Sequence, residues 1–389
     1  MAVKYRHFLT GRSYCNDGLH RRMSTSEPYA VIYLACAFLA AFGLMMRFAR
    51  RMTEGERLLS IALVVPLIVI YLIGMHRIAG EDFDNYARAY NELDDFVIPD
   101  PGYTALTWLT RRIGLDLPGF FLTQAVFTLW VLTRVSRKNN ADPVVVIVIY
   151  LLHLAVGRDL SQSRIGLAVV VYLLGQSQDR RWLKLVLYAL ASSIHITVVV
   201  LALSWGAAGF ISRQRPHKRW LYAYFPLIAL AIAGSQLLGV VALADPRVEI
   251  YLAWDAEGFG APLSSFGALA RTLPSLIVLV AASRRFRNLD FFPYVLMELA
   301  GAAILLGFAE FSIFAARLSN VAISMYPVGI GVVAAACQRA PLRGCTSEYG
   351  LIAKMAVAVT VAVLLARPGN VQTLSAVVPV AYDATKDWD

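Results

Sequence analysis

Long uninterrupted apolar runs limit what this chain can fold into more than any other feature. They cover 29–46, 58–75, 118–135, 143–156, 165–176, 183–210, 221–244, 267–282, 291–308, 318–337 and 350–366. A bilayer core takes about 20 apolar residues per helix, with a range of about 17–25. The runs are continuously apolar instead of alternating with period two, which argues against a β-barrel. Of 389 residues, 58% are hydrophobic and 16% charged, against about a quarter charged in soluble proteins. Too few charges exist to coat so much apolar surface in water, and the same composition excludes disorder. The expected fold class is all-α, a polytopic transmembrane helical bundle of about 11–12 helical segments.

Charge orients the bundle. One set of loops is basic: Arg47, Arg50, Arg51 and Arg57; Arg134, Arg137 and Lys138; Arg180, Arg181 and Lys184; Arg213, Arg215, Lys218 and Arg219; Arg284, Arg285 and Arg287; Arg339 and Arg343. The other set, 81–116, Asp159, 245–257, Glu310 and 383–389, holds most of the acids. The positive-inside rule places the first set in the cytoplasm and the second outside, with both termini outside. Net charge is +10, but it resides in these loops, so no nucleic-acid partner is expected. The four cysteines, Cys15, Cys36, Cys337 and Cys345, have neither CxxC nor metal-ligand spacing.

Two places strain the scheme. The run 183–210 has basic residues at both ends, so a helical hairpin or re-entrant pair broken near Ser192, Ser193 and His195 is expected. Such breaks are tolerated where they line a polar cavity. Runs 143–156 and 165–176 are also short, and the segment joining them, 158–164, is expected to dip in from outside. At the N-terminus, Lys4, Arg6, Arg12, Arg21 and Arg22 oppose an outside location. Either Met23 is the working start, or these residues form a flexible basic tail. The organisation expected is a basic extension without fold over 1–28, one transmembrane domain over 29–366, and an external tail over 367–389.

Ionisable groups in or beside a membrane are expensive and are functional candidates by default. The loop count brings Arg77, Asp82, Asp84, Asp100, Arg158, Asp159, Arg164, His195, Arg271, Glu310 and Arg317 to the outer side. Tyr86, Tyr90, Tyr103, Tyr251 and Trp254 are available there for stacking on sugars. Each has a plainer reading. Arg77, Arg158 and Arg317 fit interfacial anchors that snorkel to headgroups. Asp82 and Asp84 fit a solvated turn, His195 a packed polar interior, and Glu298 a helix-pairing contact. Arg111 and Arg112 read as surface charges. The grouping of arginines, one histidine and acids on one side favours chemistry. The guanidinium fork suits pyrophosphate, and a carboxylate or histidine can take a proton from an attacking hydroxyl. No GxxxxGK[ST], HExxH or GxSxG motif occurs, so nucleotide-driven transport and zinc-protease or serine-hydrolase chemistry have no support.

These residues carry a resemblance to the EpsG-type exopolysaccharide polymerases, relatives of the Wzy-type O-antigen polymerases. Two helices precede Arg77 and the segment Gly80-Glu81-Asp82-Phe83-Asp84-Asn85-Tyr86. Then follow Asp100-Pro101-Gly102-Tyr103, Arg164-Ile165-Gly166-Leu167-Ala168, Ser193-Ile194-His195-Ile196-Thr197, and Arg317 ahead of Tyr326-Pro327. The resemblance covers roughly 29–366. Glu81 replaces a small or hydroxyl residue, Gly166 stands where Ile is common, and the N-terminal extension lies outside the pattern.

The resemblance implies a multi-pass glycosyltransferase of the cytoplasmic (inner) membrane with its active site facing outside. It would join polyprenyl-pyrophosphate-linked oligosaccharide repeats, such as those carried on undecaprenyl pyrophosphate, in exopolysaccharide biosynthesis. No cofactor, metal or nucleotide would be needed. Partners would be the lipid bilayer, the lipid-linked oligosaccharide, a flippase and a chain-length regulator. Asp82 and His195 are the candidate bases. Arg77, Arg164 and Arg317, with Arg158 and Arg271 in reserve, are the candidate pyrophosphate ligands, and Tyr86 and Glu310 complete the expected substrate site. Three other readings stay open: a glycosyltransferase using a lipid-monophosphate sugar, a transporter of lipid-linked sugars, and a surface-sugar acyltransferase. No paired repeat of the kind transporters show is evident.

Overall fold

A computed structural model of the chain describes residues 27–48, 52–76, 86–87, 90–91, 100–160, 162–214, 222–223, 225–233, 276–280, 282–283, 286, 289–308 and 312–339. Arg77, Asp82, Arg271, Glu310, the run 350–366, the N-terminal extension to residue 26 and the tail lie outside the described residues. Those described are helical, with no strand among them. Three helices, Glu54–Met75, Leu117–Lys138 and Ala315–Arg339, are long and apolar enough to cross a membrane, and shorter apolar helices surround them. Phe38 at 70%, Leu58 at 64% and Leu203 at 68% exposure turn apolar surface outward, as lipid-facing positions should.

In chain order α1 is Glu27–Arg47, α2 Glu54–His76, α3 Pro101–Arg112, α4 Leu117–Lys138 and α5 Pro143–Tyr150. A π-helix, Leu151–Leu160, continues α5 directly. Then come α6 Ser163–Gln176, α7 Arg181–Ile194, α8 Val198–Ser212, α9 Phe292–Gly307, α10 Ser312–Ala322 and α11 Tyr326–Arg339. Helices α4 and α5 start at Pro in the first turn, where its missing N–H costs nothing. Their N-caps, Asp116 and Asp142, accept from Gly119 N at 2.8 Å and Val144 N at 2.9 Å.

The basic end of the bundle is tied by one buried knot. Arg47 donates from Nε to Ser60 Oγ (2.7 Å) and from Nη1 to Asp142 Oδ2 (3.2 Å). Gln338 Nε2 donates to the same carboxylate oxygen at 2.9 Å and to the Arg47 carbonyl at 2.8 Å. Four segments, α1, α2, α5 and α11, are thereby joined. Arg47 therefore does more than bias topology. Its charge is buried but compensated, which a buried ion requires.

The break expected in 183–210 is present. Helix α7 ends at His195, whose backbone is extended (φ −160°, ψ 124°), and α8 starts three residues later. The start of α7 follows Asp179, which is ion-paired to Lys138. Its end lies against Gly102 at the start of α3, where an added Cβ would come within 2.8 Å of Ile194 N. The far end of α8 returns: Ala208 and Ile211 cluster with Phe292 and Leu296 at the start of α9. That start lies beside Gly329 through Tyr294, close to Gly331, whose carbonyl accepts from Asp142 N. Both ends of 181–212 therefore lie toward the basic end, the arrangement a hairpin gives. The short runs 143–156 and 165–176 are likewise joined through the π-helix, which ends at Leu160, three residues before α6 begins at Ser163.

Candidate functional site

The acidic end of the bundle gathers around the start of α6. Arg164 Nη1 donates to Asp100 Oδ2 at 2.8 Å, its guanidinium lies 5.7 Å from the Tyr86 ring centroid, and its backbone N–H reaches Tyr86 Oη at 3.4 Å. Asp100 precedes α3 and is itself buried, whereas the Arg164 side chain keeps 27% exposure. The pair is thus fixed from below and open from above. Tyr86 packs on Tyr103 and Phe121 at centroid distances of 6.0 and 5.8 Å. Helix α4 fixes the turn before Arg164 through the paired bonds Gln124 Nε2 to the Ser163 carbonyl (3.0 Å) and Ser163 Oγ to Gln124 Oε1 (2.8 Å).

The tyrosines expected to offer faces to sugars are largely covered: Tyr86, Tyr90 and Tyr103 are 4%, 6% and 2% exposed. Tyr86 and Tyr103 pack on each other and on Phe121 and Phe120, while Tyr90 donates its hydroxyl to the Leu115 carbonyl and carries Arg111 over its ring. Tyr86 holds the arginine in place and presents no open ring.

His195 lies at the same end, next to the Ser193–Ile194 backbone that covers Gly102. Its Nδ1 is 2.8 Å from Thr197 Oγ1 and accepts the Thr197 backbone N–H at 3.3 Å. A backbone N–H only donates, so this partner assigns the neutral ring its proton on Nε2. Arg317 is half-buried on α10.

Beneath Arg164 the π-helix builds a second, fully enclosed group. Arg158 is 1% exposed and Asp159 is 0% exposed. Asp159 accepts from Tyr71 Oη at 2.8 Å and from Tyr150 Oη at 2.8–2.9 Å, and its Oδ1 lies 3.6 Å from Arg158 Nε. Arg158 Nη1 donates to Ser324 Oγ at 2.6 Å, and the guanidinium stands 4.8 Å from the Tyr150 ring centroid. Its Nη2 is buried and has no hydrogen-bond partner among the described residues.

The winding explains the grouping. Tyr150 and Asp159 are nine residues apart, about two and a half turns of an α-helix at 3.6 residues per turn, which would set them on opposite faces. The wider i→i+5 winding brings them onto one. Such segments are frequent at functional sites. His153, one turn in, hydrogen-bonds Tyr326 with its ring edge-on to the tyrosine.

Sequence reasoning singled out Arg158 and the Asp159 beside it, but not Tyr71, Tyr150, His153 or Ser324. A usable signal was there for one of them: His153 is an ionisable residue inside an apolar run.

Gly166 has a physical reason here. A Cβ at this position would be driven into the Asp159 carboxylate and within 3.2 Å of the Asp159 Cα. The glycine allows the Arg158–Asp159 corner to sit against α6. Gly166→Ala is expected to lower stability by about 1–3 kcal/mol through overpacking, read as a lower melting temperature in detergent. An unchanged melt would show that the corner has room to move.

Known families bear on this geometry. The sequence profile of the EpsG family matches residues 59–333, which takes in both arginine groups, the π-helix and the α7–α8 break. No curated protein and no solved structure matches the chain. The match spans well over half of a helical membrane protein, and the chain belongs to the EpsG family.

Proposed function

We propose that this protein is a polysaccharide polymerase acting on polyprenyl-pyrophosphate-linked oligosaccharide repeats at the outer face of the cytoplasmic membrane. EpsG membership supports a polysaccharide polymerase-like role in general. The observation that carries the finer reading is Arg164, held by Asp100 and Tyr86 with 27% of its side chain left open, at the end of the bundle where the loops are acidic. In this reading Arg164 binds the pyrophosphate with Arg77 and Arg317. Arg271 is a further ligand, Arg158, enclosed at 1% exposure, reaches the phosphates only if its group opens, and Glu310 orients the incoming sugar.

The reaction balances simply. The bond from the anomeric carbon of the growing chain to pyrophosphate breaks, and that carbon bonds to a hydroxyl oxygen of the incoming lipid-linked repeat. The hydroxyl proton passes to a base, and polyprenyl pyrophosphate leaves. The Thr197 N–H on His195 Nδ1 favours His195 as a donor toward phosphate oxygen and Asp82 as the base. A flippase to supply the repeat and a chain-length regulator fit this role.

Asp82→Asn is expected to lower polymer formation by about 100-fold or more at unchanged protein level, while His195→Gln loses less. Normal polymerisation by Asp82→Asn would reverse the assignment. Arg77→Lys and Arg317→Lys should each impair the reaction, since lysine keeps the charge but not the fork. Arg112→Ala should be silent, because Arg112 is exposed and only rests on Trp108 at 5.0 Å. Full activity in all the arginine variants would point to transport instead.

A further inference from the structure

The basic end of the bundle carries a cleft that the polymerase reading does not use. It lies between the last turns of α4 and the α6–α7 turn, has a volume of about 420 Å³, and is lined by Trp130, Thr133, Arg134, Arg137, Lys138, Ser177 and Asp179. Its charges are unequal. Lys138 is paired with Asp179. Asp179 stays ionised, because the hydrogen bond and charge of Lys138 hold its carboxyl below the ordinary carboxylate range.

Arg134 and Arg137 form no ion pair among the described residues, and Arg134 acts on Asp179 only through its more distant charge. The Arg134 side chain is positioned: Nε donates to Ser177 Oγ at 3.1 Å, Nη2 reaches Gln178 Oε1 at 3.4 Å, and the guanidinium lies 5.9 Å from the Trp130 ring. Arg137 makes no side-chain hydrogen bond or ion pair among the described residues. Part of this positive charge answers the negative end of the α4 dipole, whose reach is confined to the last turn. The remainder is enough for one monoanion.

We propose that this cleft binds the phosphodiester headgroup of an anionic phospholipid, with the glyceride chains lying along α4. Two observations choose a lipid over a soluble phosphate. The cleft closes the end of α4, one of the helices long and apolar enough to span a membrane. Trp130, at its rim, is 51% exposed and stacks on Phe127 at 5.9 Å, so an amphipathic ring stands at the headgroup level where such residues concentrate. Basic pockets between membrane helices are a recognised setting for anionic headgroups. The site is separate from the Arg164 end and does not rest on the polymerase reading.

The test uses the full-length protein in mixed micelles, with brominated phosphatidylglycerol or brominated phosphatidylcholine as quenchers of tryptophan fluorescence. The Trp130→Phe variant isolates the Trp130 signal. The Trp130 component should be quenched at lower mole fraction of phosphatidylglycerol, by about five-fold for one arginine near a headgroup. Arg137→Gln should erase most of that preference. This side chain makes no hydrogen bond or ion pair among the described residues, so the variant should fold normally, and Arg137→Lys should keep the preference. Equal quenching by the two lipids, or a preference untouched by Arg137→Gln, would overturn the proposal. So would a preference abolished by millimolar inorganic phosphate at constant ionic strength, which would make the cleft a soluble-anion site.

Discussion

Asp159→Asn should be among the most damaging single substitutions in this protein, expected to lower stability by about 3–5 kcal/mol. It keeps the size of the side chain and removes its charge. Arg158 would then be left 1% exposed, with its ion-pair partner gone and, among the described residues, only Ser324 Oγ and the Tyr150 face to compensate it. Net stabilities of domains are about 5–15 kcal/mol, so most of the folded population is at risk. The companion variant is Arg158→Met in the Asp159→Asn background. With no stranded charge, it should recover a large part of the loss, since replacing both members of a buried pair is often near neutral. Thermal melts of the purified variants decide this. A double variant no more stable than Asp159→Asn would show that Tyr71 and Tyr150, which donate to Asp159, need the carboxylate itself. Recovery of stability without recovery of polymerisation would separate the two possible uses of Arg158, because a purely structural arginine would restore both.

Arg164→Lys should have the largest effect on activity among the arginine variants that keep the fold. The side chain is bonded to Asp100 at 2.8 Å and laid over Tyr86. Lysine can keep the ion pair but cannot hold Asp100 and a phosphate with one rigid fork. Hydrogen bonds to charged groups are worth about 1.5–3 kcal/mol each, so turnover should fall by about 10- to 100-fold with protein level and melting temperature nearly unchanged. The KM for the lipid-linked repeat should rise as well. Asp100→Asn should act differently. It loosens the arginine without removing it, so activity falls less, and the remaining activity should weaken as ionic strength rises. Equal losses of activity and stability in Arg164→Lys would mark the residue as structural.

Much of the architecture was legible because apolar length and arginine placement are strong signals in a membrane chain. The break at His195 followed from basic residues at both ends of one 28-residue run, 183–210, which a single crossing cannot satisfy. Arg164 and Arg158 were legible as charges where charge is costly. Their surroundings were not. Tyr71 and Ser324 reach residues 88 and 166 positions away, and no local pattern encodes such pairings. The Tyr150–Asp159 bond depends on a π-helix, whereas sequence periodicity is read at 3.6 residues per turn and assigns the two residues to opposite faces. The burial of Tyr86 and Tyr103 was missed for a related reason: an aromatic in an external loop looks available until Phe120 and Phe121 of α4 are placed against it. Gly166, a departure from the family pattern by sequence, became intelligible once Asp159 was seen against its α-carbon.

The central claim is most directly tested with purified protein reconstituted in liposomes and given a polyprenyl-pyrophosphate-linked repeat on the accessible face. The account predicts a ladder of products spaced by one repeat unit, with one polyprenyl pyrophosphate released for each linkage formed and no requirement for a nucleotide. Movement of the intact lipid-linked repeat across the bilayer, with no ladder and no released pyrophosphate, would contradict it.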